Sequence, residues 1–264
     1  MSSSTHEASG ISIEDLVVDY GEHRAVDHVS FAVRPGSVVA LLGPNGAGKT
    51  STVRCVVGLQ APTAGRVTVA GHDVARDPEG AKARLGYVPE HGSLYNTLTP
   101  RETLLLKGRL HHMSDEQIEA RAQHLLGVLG LANRIDDPIV GFSKGMRQKV
   151  VLSVALLPDP DVFVLDEPLS GLDAETTQLV KEFLGVLAES GKAVLYCSHL
   201  LDIVEKVASD ILILRAGKLE AHGTLAELRA KDAQQGDLEG IFRAVTEASD
   251  PAELARRLLG NSVS

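Results

Sequence analysis

Short unbroken apolar runs recur along the chain between stretches of helical period. Val38–Leu42, Val162–Leu165 and Ala193–Tyr196 carry no polar interruption. Runs of this kind suit strands buried on both faces, as in a parallel sheet covered by helices. Ile11–Tyr20, Ser30–Val33 and Arg66–Val69 mix apolar and polar positions and predict a more exposed β-region near the N-terminus. Ile211–Leu214 and Lys218–His222, joined through Ala216-Gly217, predict a hairpin. Between about Thr97 and Leu157 the period becomes helical. Thr99-Pro100-Arg101-Glu102 is a capping box with Pro at the first helical position. Ser114-x-x-Gln117 is a second helix start, followed by Ile118, Ala122, Leu125, Leu126 and Leu129 at helical spacing. One or two short helices and a polar end, Gly260–Ser264, follow Thr224. The pattern predicts an α/β body with a mainly parallel sheet and a helical insertion.

A chain of 264 residues suits one large α/β domain, or one carrying a smaller insertion. With 44% hydrophobic and 23% charged residues, wholesale disorder is excluded. The net charge of −9 makes a basic nucleic-acid-binding face the wrong starting point, and aromatics at 3% leave few stacking platforms. Cys55 and Cys197 sit in apolar surroundings and read as two buried thiols rather than a disulfide or metal pair. Met1–Gly10 is Ser-rich without an apolar core, so it reads as a flexible tail and not a signal peptide. No apolar run reaches the ~18–20 residues that span a bilayer. A soluble, cytoplasmic protein is expected.

The chemistry concentrates after the first unbroken strand. Gly43-Pro-Asn45-Gly46-Ala47-Gly48-Lys49-Thr50 fits G-x-x-x-x-G-K-[ST], between that strand and a helix expected over Lys49–Val57. The glycines let main-chain amides turn inward around a phosphate chain, and the helix N-terminus adds its positive dipole end. Lys49 is expected to reach the β- and γ-phosphates, Thr50 to ligate Mg²⁺ and Ser51 to touch the α-phosphate. Val162–Leu165 leads into Asp166 and Glu167. Placed beside the phosphate loop, Asp166 approaches the metal, while Glu167 polarises a water in line with the γ-phosphate.

With these motifs, the chain resembles the ATP-binding-cassette (ABC) ATPases from about Ile11 to His222. Tyr20 stands where the family places an adenine-stacking aromatic. Phe142-Ser143-Lys144-Gly145-Met146 occupies the place of the family signature, usually LSGGQ, ahead of a helix over Val150–Leu157. Ser170-Gly171-Leu172-Asp173 matches the dimer-contacting D-loop, and His199 the switch histidine that contacts the γ-phosphate. Two positions depart from the pattern. Tyr87-Val-Pro-Glu90 has Glu90 where the family usually has a Gln, leaving a carboxylate that can bind Mg²⁺ or water. The signature has Lys144 for Gly and Met146 for Gln; Ser143 and Gly145 remain to bind a γ-phosphate, while Lys144 either attracts it or faces solvent. Both departures resemble those of exporters with type-2 permeases, as does Asp237-Leu-Glu-Gly-Ile-Phe242 near the C-terminus.

The resemblance implies a P-loop NTPase core with an N-terminal antiparallel β-subdomain and an inserted α-helical subdomain at about 91–160. The expected divisions are a tail at 1–10, a nucleotide-binding domain at 11–230 and a helical extension at 231–264. It further implies a head-to-tail dimer, of identical or paralogous copies, sandwiching two ATP with Mg²⁺. That dimer would drive a separate integral membrane permease from the inner face of the membrane, in the direction of export. The alternatives are a nucleotide-sensing regulatory subunit with little turnover, or a soluble ABC protein not tied to transport. No nucleic-acid partner is expected.

Overall fold

A computed structural model describes residues 10–90, 94–169, 172–231 and 237–246. Ten strands and nine α-helices run through the described chain: β1 Ile11–Tyr20, β2 His23–Val33, β3 Val38–Leu42, α1 Lys49–Val56, β4 Ala64–Val69, β5 His72–Asp73, α2 Pro78–Ala83, β6 Leu85–Val88, α3 Pro100–Leu110, α4 Asp115–Val128, α5 Lys144–Leu156, β7 Val162–Asp166, α6 Ala174–Glu189, β8 Ala193–Cys197, α7 Leu201–Val207, β9 Asp210–Arg215, β10 Lys218–Gly223, α8 Leu225–Lys231 and α9 Leu238–Thr246. They build two sheets. The larger has the order β10-β9-β3-β8-β7-β6, parallel except for the β9–β10 hairpin. The smaller, β2-β1-β4-β5, is antiparallel.

The unbroken apolar runs fall on the middle strands of the larger sheet because those strands face packing on both sides. Val39 and Leu41 of β3, Val162 and Val164 of β7, and Leu195 and Cys197 of β8 pack towards α1 and the antiparallel sheet. Val38, Ala40, Leu42, Phe163, Leu165, Val194 and Tyr196 pack on the opposite side, among residues of α5, α6 and α7. Phe163 meets Phe183 edge-on there, with ring centroids 6.0 Å apart. Each such fully buried side chain contributes roughly 1.5–3 kcal/mol of transfer free energy. Both cysteines are buried and unpaired, as their apolar neighbours predict.

The helical insertion has its own core of Leu104, Ile118, Ala122, Leu126, Ile139, Phe142, Val150 and Leu157. Both expected capping boxes form. Thr99 and Glu102 exchange bonds of 3.1 and 2.8 Å, and Ser114 and Gln117 of 3.3 and 3.0 Å.

The antiparallel strands are more exposed than the middle strands of the larger sheet, as their mixed pattern predicts: β1 buries Ile11, Ile13, Leu16, Val17 and Val18 but leaves Glu14, Asp15 and Tyr20 exposed. The antiparallel sheet lies over α1 and the larger sheet, so its apolar positions meet a core instead of water. Gly10 is no part of a loose tail: its carbonyl accepts from the Ala70 amide at 2.8 Å, and a Cβ added there would meet Ala193 Cβ at 2.0 Å. The rest of the expected tail, 1–9, and residues 247–264 lie outside the described residues. Of the C-terminal extension, α9 packs on α7, α8 and β9, burying Leu238 and Ile241.

Candidate nucleotide site

β3 drives all five of its residues into the core and stops at Gly43, where the chain turns too tightly for a side chain. A Cβ there would come within 2.5 Å of the Leu214 carbonyl oxygen. Gly48 has φ 104°, and a Cβ on it would meet Ala25 O at 2.5 Å. Only glycine adopts that conformation at little cost. Gly48 is also the N-cap of α1 and supplies no side-chain cap, so the first-turn amides of the helix have no side-chain acceptor. Lys49 Nζ folds back over the loop to donate to Gly43 O at 2.5 Å and Pro44 O at 3.2 Å. A cleft of about 280 Å³ opens above these amides, lined by Asn45 to Ser51 and by Tyr20, His23 and Ala25.

Tyr20 ends β1 at the mouth of this cleft. The residue is 44% exposed, and its hydroxyl donates to Gln60 Oε1 at 2.5 Å with Ser51 Oγ 3.3 Å away. His23 pairs with it across the Gly21-Glu22 turn. His23, Ala25 and Gln60 were not singled out by motif. The only signal was the turn after Tyr20, which brings residue 23 opposite residue 20 on one face of a hairpin.

β7 ends in Asp166, only 6% exposed. Burial pushes its carboxyl up to about 6, reinforced by Glu167 and Glu90 and opposed by Lys49 and Arg54. Those four groups therefore share its electrostatic neighbourhood, although Glu90 itself is exposed in the turn after β6. Glu167 takes φ 47°, a left-handed conformation unusual for a non-glycine residue, and its amide bonds Cys197 O at 2.9 Å. The turn aims its carboxylate at the next strand's end, where His199 Nδ1 lies 2.8 Å from Glu167 Oε2. Neighbouring parallel strands β7 and β8 thus deliver an acid and an imidazole to one point.

The signature residues stand elsewhere, and none of 143–146 lines the cleft. The helix starts at Lys144, earlier than the apolar run from Val150 predicted, because Ser143 caps it: Ser143 Oγ accepts from Met146 N at 3.2 Å. Ser143 and Lys144 are exposed, while Met146 packs against the helical core. Gly145 is buried, and a Cβ on it would meet Asp173 Oδ2 at 2.8 Å. Asp173 caps α6 through Thr176 N at 2.8 Å and Thr176 Oγ1 at 3.0 Å, bonds that hold its carboxyl below the usual range. Leu172 packs on the larger sheet's core; Ser170 and Gly171 lie outside the described residues.

A glycine-rich loop between a buried parallel strand and a helix, in a sheet of this order, defines an α/β protein of the P-loop NTPase class. Residues 26–170 match the family described as "ABC transporter". The chain is 36% identical over 232 residues to "ABC-type transporter ATP-binding protein EcsA" of Bacillus subtilis (strain 168), covering 86% of this chain and 94% of that one. It is 37% identical over 224 residues to "Nod factor export ATP-binding protein I" of Paraburkholderia xenovorans (strain LB400), covering 85% and 74%. The solved "Structure of ATP binding subunit of ABC transporter" superposes with TM-score 0.84 at 32% identity, covering 89% of this chain and 98% of the other. The chain belongs to the ABC transporter ATP-binding family; it binds ATP and is an ATPase. Among the described residues, no helix is long and apolar enough to cross a membrane.

Proposed function

We propose that this chain is the motor subunit of an exporter. Two copies, or one copy and a paralogue, close head to tail around two ATP molecules and drive a separate integral membrane permease from the cytoplasmic face. One observation carries the reading: the nucleotide cleft is built from a single side, while Ser143 stands exposed at a helix N-terminus outside it. A second chain's Ser143 and Gly145 complete the pocket, with Lys144 and Met146 flanking them and Leu172 and Asp173 at the dimer contact. Relatives named for Nod factor export and for daunorubicin resistance support the direction of transport. The permease is received near Glu90 and the helical insertion, where Tyr95 and Val140 are each 66% exposed.

Within one copy, Tyr20 stacks on adenine. The loop amides from Gly43 to Gly48 and the Lys49 ammonium grip the β- and γ-phosphates, and Ser51 contacts the α-phosphate. Glu167 accepts the proton of the attacking water, and His199, hydrogen-bonded to it, contacts the γ-phosphate. The donor set also fits Mg²⁺. Thr50 and Asp166 are hard oxygen ligands, and the Asp166 carboxyl, raised mainly by burial and further by Glu167 and Glu90, would gain its charged form beside a cation. Among the described residues, no three His, Cys, Asp or Glu side chains form a metal cluster by themselves. Thr50 and Asp166 would hold the ion, with Glu90 able to bind it through water. Bound there, Mg²⁺ would neutralise charge on the transferred phosphoryl group.

The experiment is steady-state ATP hydrolysis with size analysis. Glu167→Gln is expected to abolish turnover and to accumulate an ATP-dependent dimer. A purely monomeric variant under saturating ATP would overturn the sandwich, and a native pull-down free of integral membrane proteins would overturn the motor.

A further inference from the structure

Arg147 lies one turn into α5, just beyond the signature, and no motif reading assigned it a role. Its guanidinium reaches three acceptors on two separate segments. Nη1 donates to Asn96 Oδ1 at 2.7 Å, Nη2 to Val140 O at 3.3 Å and Nε to Phe142 O at 3.3 Å. All three acceptors are neutral oxygens, so the group works as a rigid planar fork rather than as an ion-pair partner. The same two segments are stitched by main-chain bonds, Val140 N to Asn96 O and Ile139 N to Leu98 O, both 2.9 Å. Residues 94–98 lie between Glu90 and α3, and residues 139–142 lead directly into Ser143.

We propose that Arg147 is a positioning residue for the reaction: by clasping Asn96 to the carbonyls of Val140 and Phe142, it sets where Ser143 presents its hydroxyl to the partner copy's ATP. The proposal rests on the dimeric reading above. The fork fixes the strand of chain immediately before Ser143 from one side, while the Ser143 cap fixes it from the other, through Met146 N. Movement of the 94–98 segment is then passed to Ser143 rather than absorbed by a loose loop. Because the cleft of the same copy contains none of these residues, loosening the clasp leaves one-copy nucleotide binding alone and acts on turnover.

The test compares Arg147→Ala, Arg147→Lys, Asn96→Ala and the Arg147→Ala/Asn96→Ala pair in the full chain. It measures steady-state kcat and KM, the affinity of the monomer for a fluorescent ATP analogue, and thermal melting. Arg147→Ala is expected to lower kcat about tenfold, with analogue affinity unchanged within about twofold. Arg147→Lys, which cannot span three acceptors, is expected to recover little of the loss. The pair is expected to be no worse than Arg147→Ala alone, since both changes open one clasp. Wild-type kcat in folded Arg147→Ala overturns the proposal, as do additive losses in the pair or a parallel loss of analogue affinity. Should Arg147→Ala fail to fold, exposed Asn96→Ala decides alone: wild-type kcat overturns the clasp, and reduced kcat with intact affinity upholds it. Ser143→Ala separates the two levels. If it turns over ATP normally, the dimeric reading fails; if it is inactive while Arg147→Ala is not, only the clasp fails.

Discussion

The two halves of the proposed catalytic site are held by different physics. The phosphate loop follows the end of β3, with Glu167 and His199 just past the ends of β7 and β8, strands buried on both faces, and the loop's shape is dictated by main-chain geometry. At Gly43 and Gly48 a side chain would strike the carbonyls of Leu214 and Ala25. The signature half sits on the helical layer and is held by caps and side-chain hydrogen bonds: Ser143 to Met146, Asp173 to Thr176, Arg147 to Asn96. The first half is thus fixed by main-chain packing, the second by side-chain hydrogen bonds that single substitutions can remove.

The sharpest way to break this contrast is Glu167→Gln. The side chain keeps its size and its place opposite His199 but no longer accepts a proton. The expected result is a fall in kcat of about 10²–10⁴-fold with ATP affinity preserved, read by phosphate release and by analogue binding. Retained turnover would move the general base elsewhere.

Gly48→Ala comes next and acts on binding. At φ 104°, with Ala25 O in the way, alanine must distort the loop and the start of α1. Loss of stability of roughly 2 kcal/mol is expected, together with at least a tenfold loss of ATP affinity in the isolated chain. Gly145→Ala is the matching change on the other half. Its methyl would press on the Asp173 carboxylate that caps α6. A several-fold fall in kcat with unchanged nucleotide affinity is expected, because the residue lies outside the cleft. If Gly145→Ala instead lowers affinity in the monomer, the two halves are not separable.

Legibility in the sequence follows the same division. The β3, β7 and β8 runs and the phosphate loop could be read because an unbroken apolar strand followed by a fixed glycine pattern has few other uses. The caps at Thr99 and Ser114 were readable for the same reason: the bonds are local. The apolar run marks the signature helix only from Val150 because its first six residues, Lys144 to Lys149, are polar apart from Gly145 and Met146, and the hydroxyl that begins it leaves no periodicity. The cleft position of His23 and the reach of Arg147 to Asn96 depend on contacts between distant segments, which no single-chain pattern records. The Glu167 turn was equally hidden, since a left-handed glutamate leaves no mark in composition.

The mildest change draws the finest line. Thr99 and Ser143 are both hydroxyl N-caps, each accepting from a backbone amide three residues on, at 3.1 and 3.2 Å. Alanine at either should cost about 1 kcal/mol, read as a melting point lower by about 2–4 °C. Thr99 spends its hydroxyl on α3 alone, so Thr99→Ala is expected to hydrolyse ATP at the wild-type rate. Ser143 caps α5 and, in the proposed closed dimer, would offer the same oxygen to a neighbour's triphosphate, so Ser143→Ala should lose turnover out of proportion to its melting point. Equal activity in the two variants would reduce Ser143 to a cap like any other and leave the phosphate loop without a second wall.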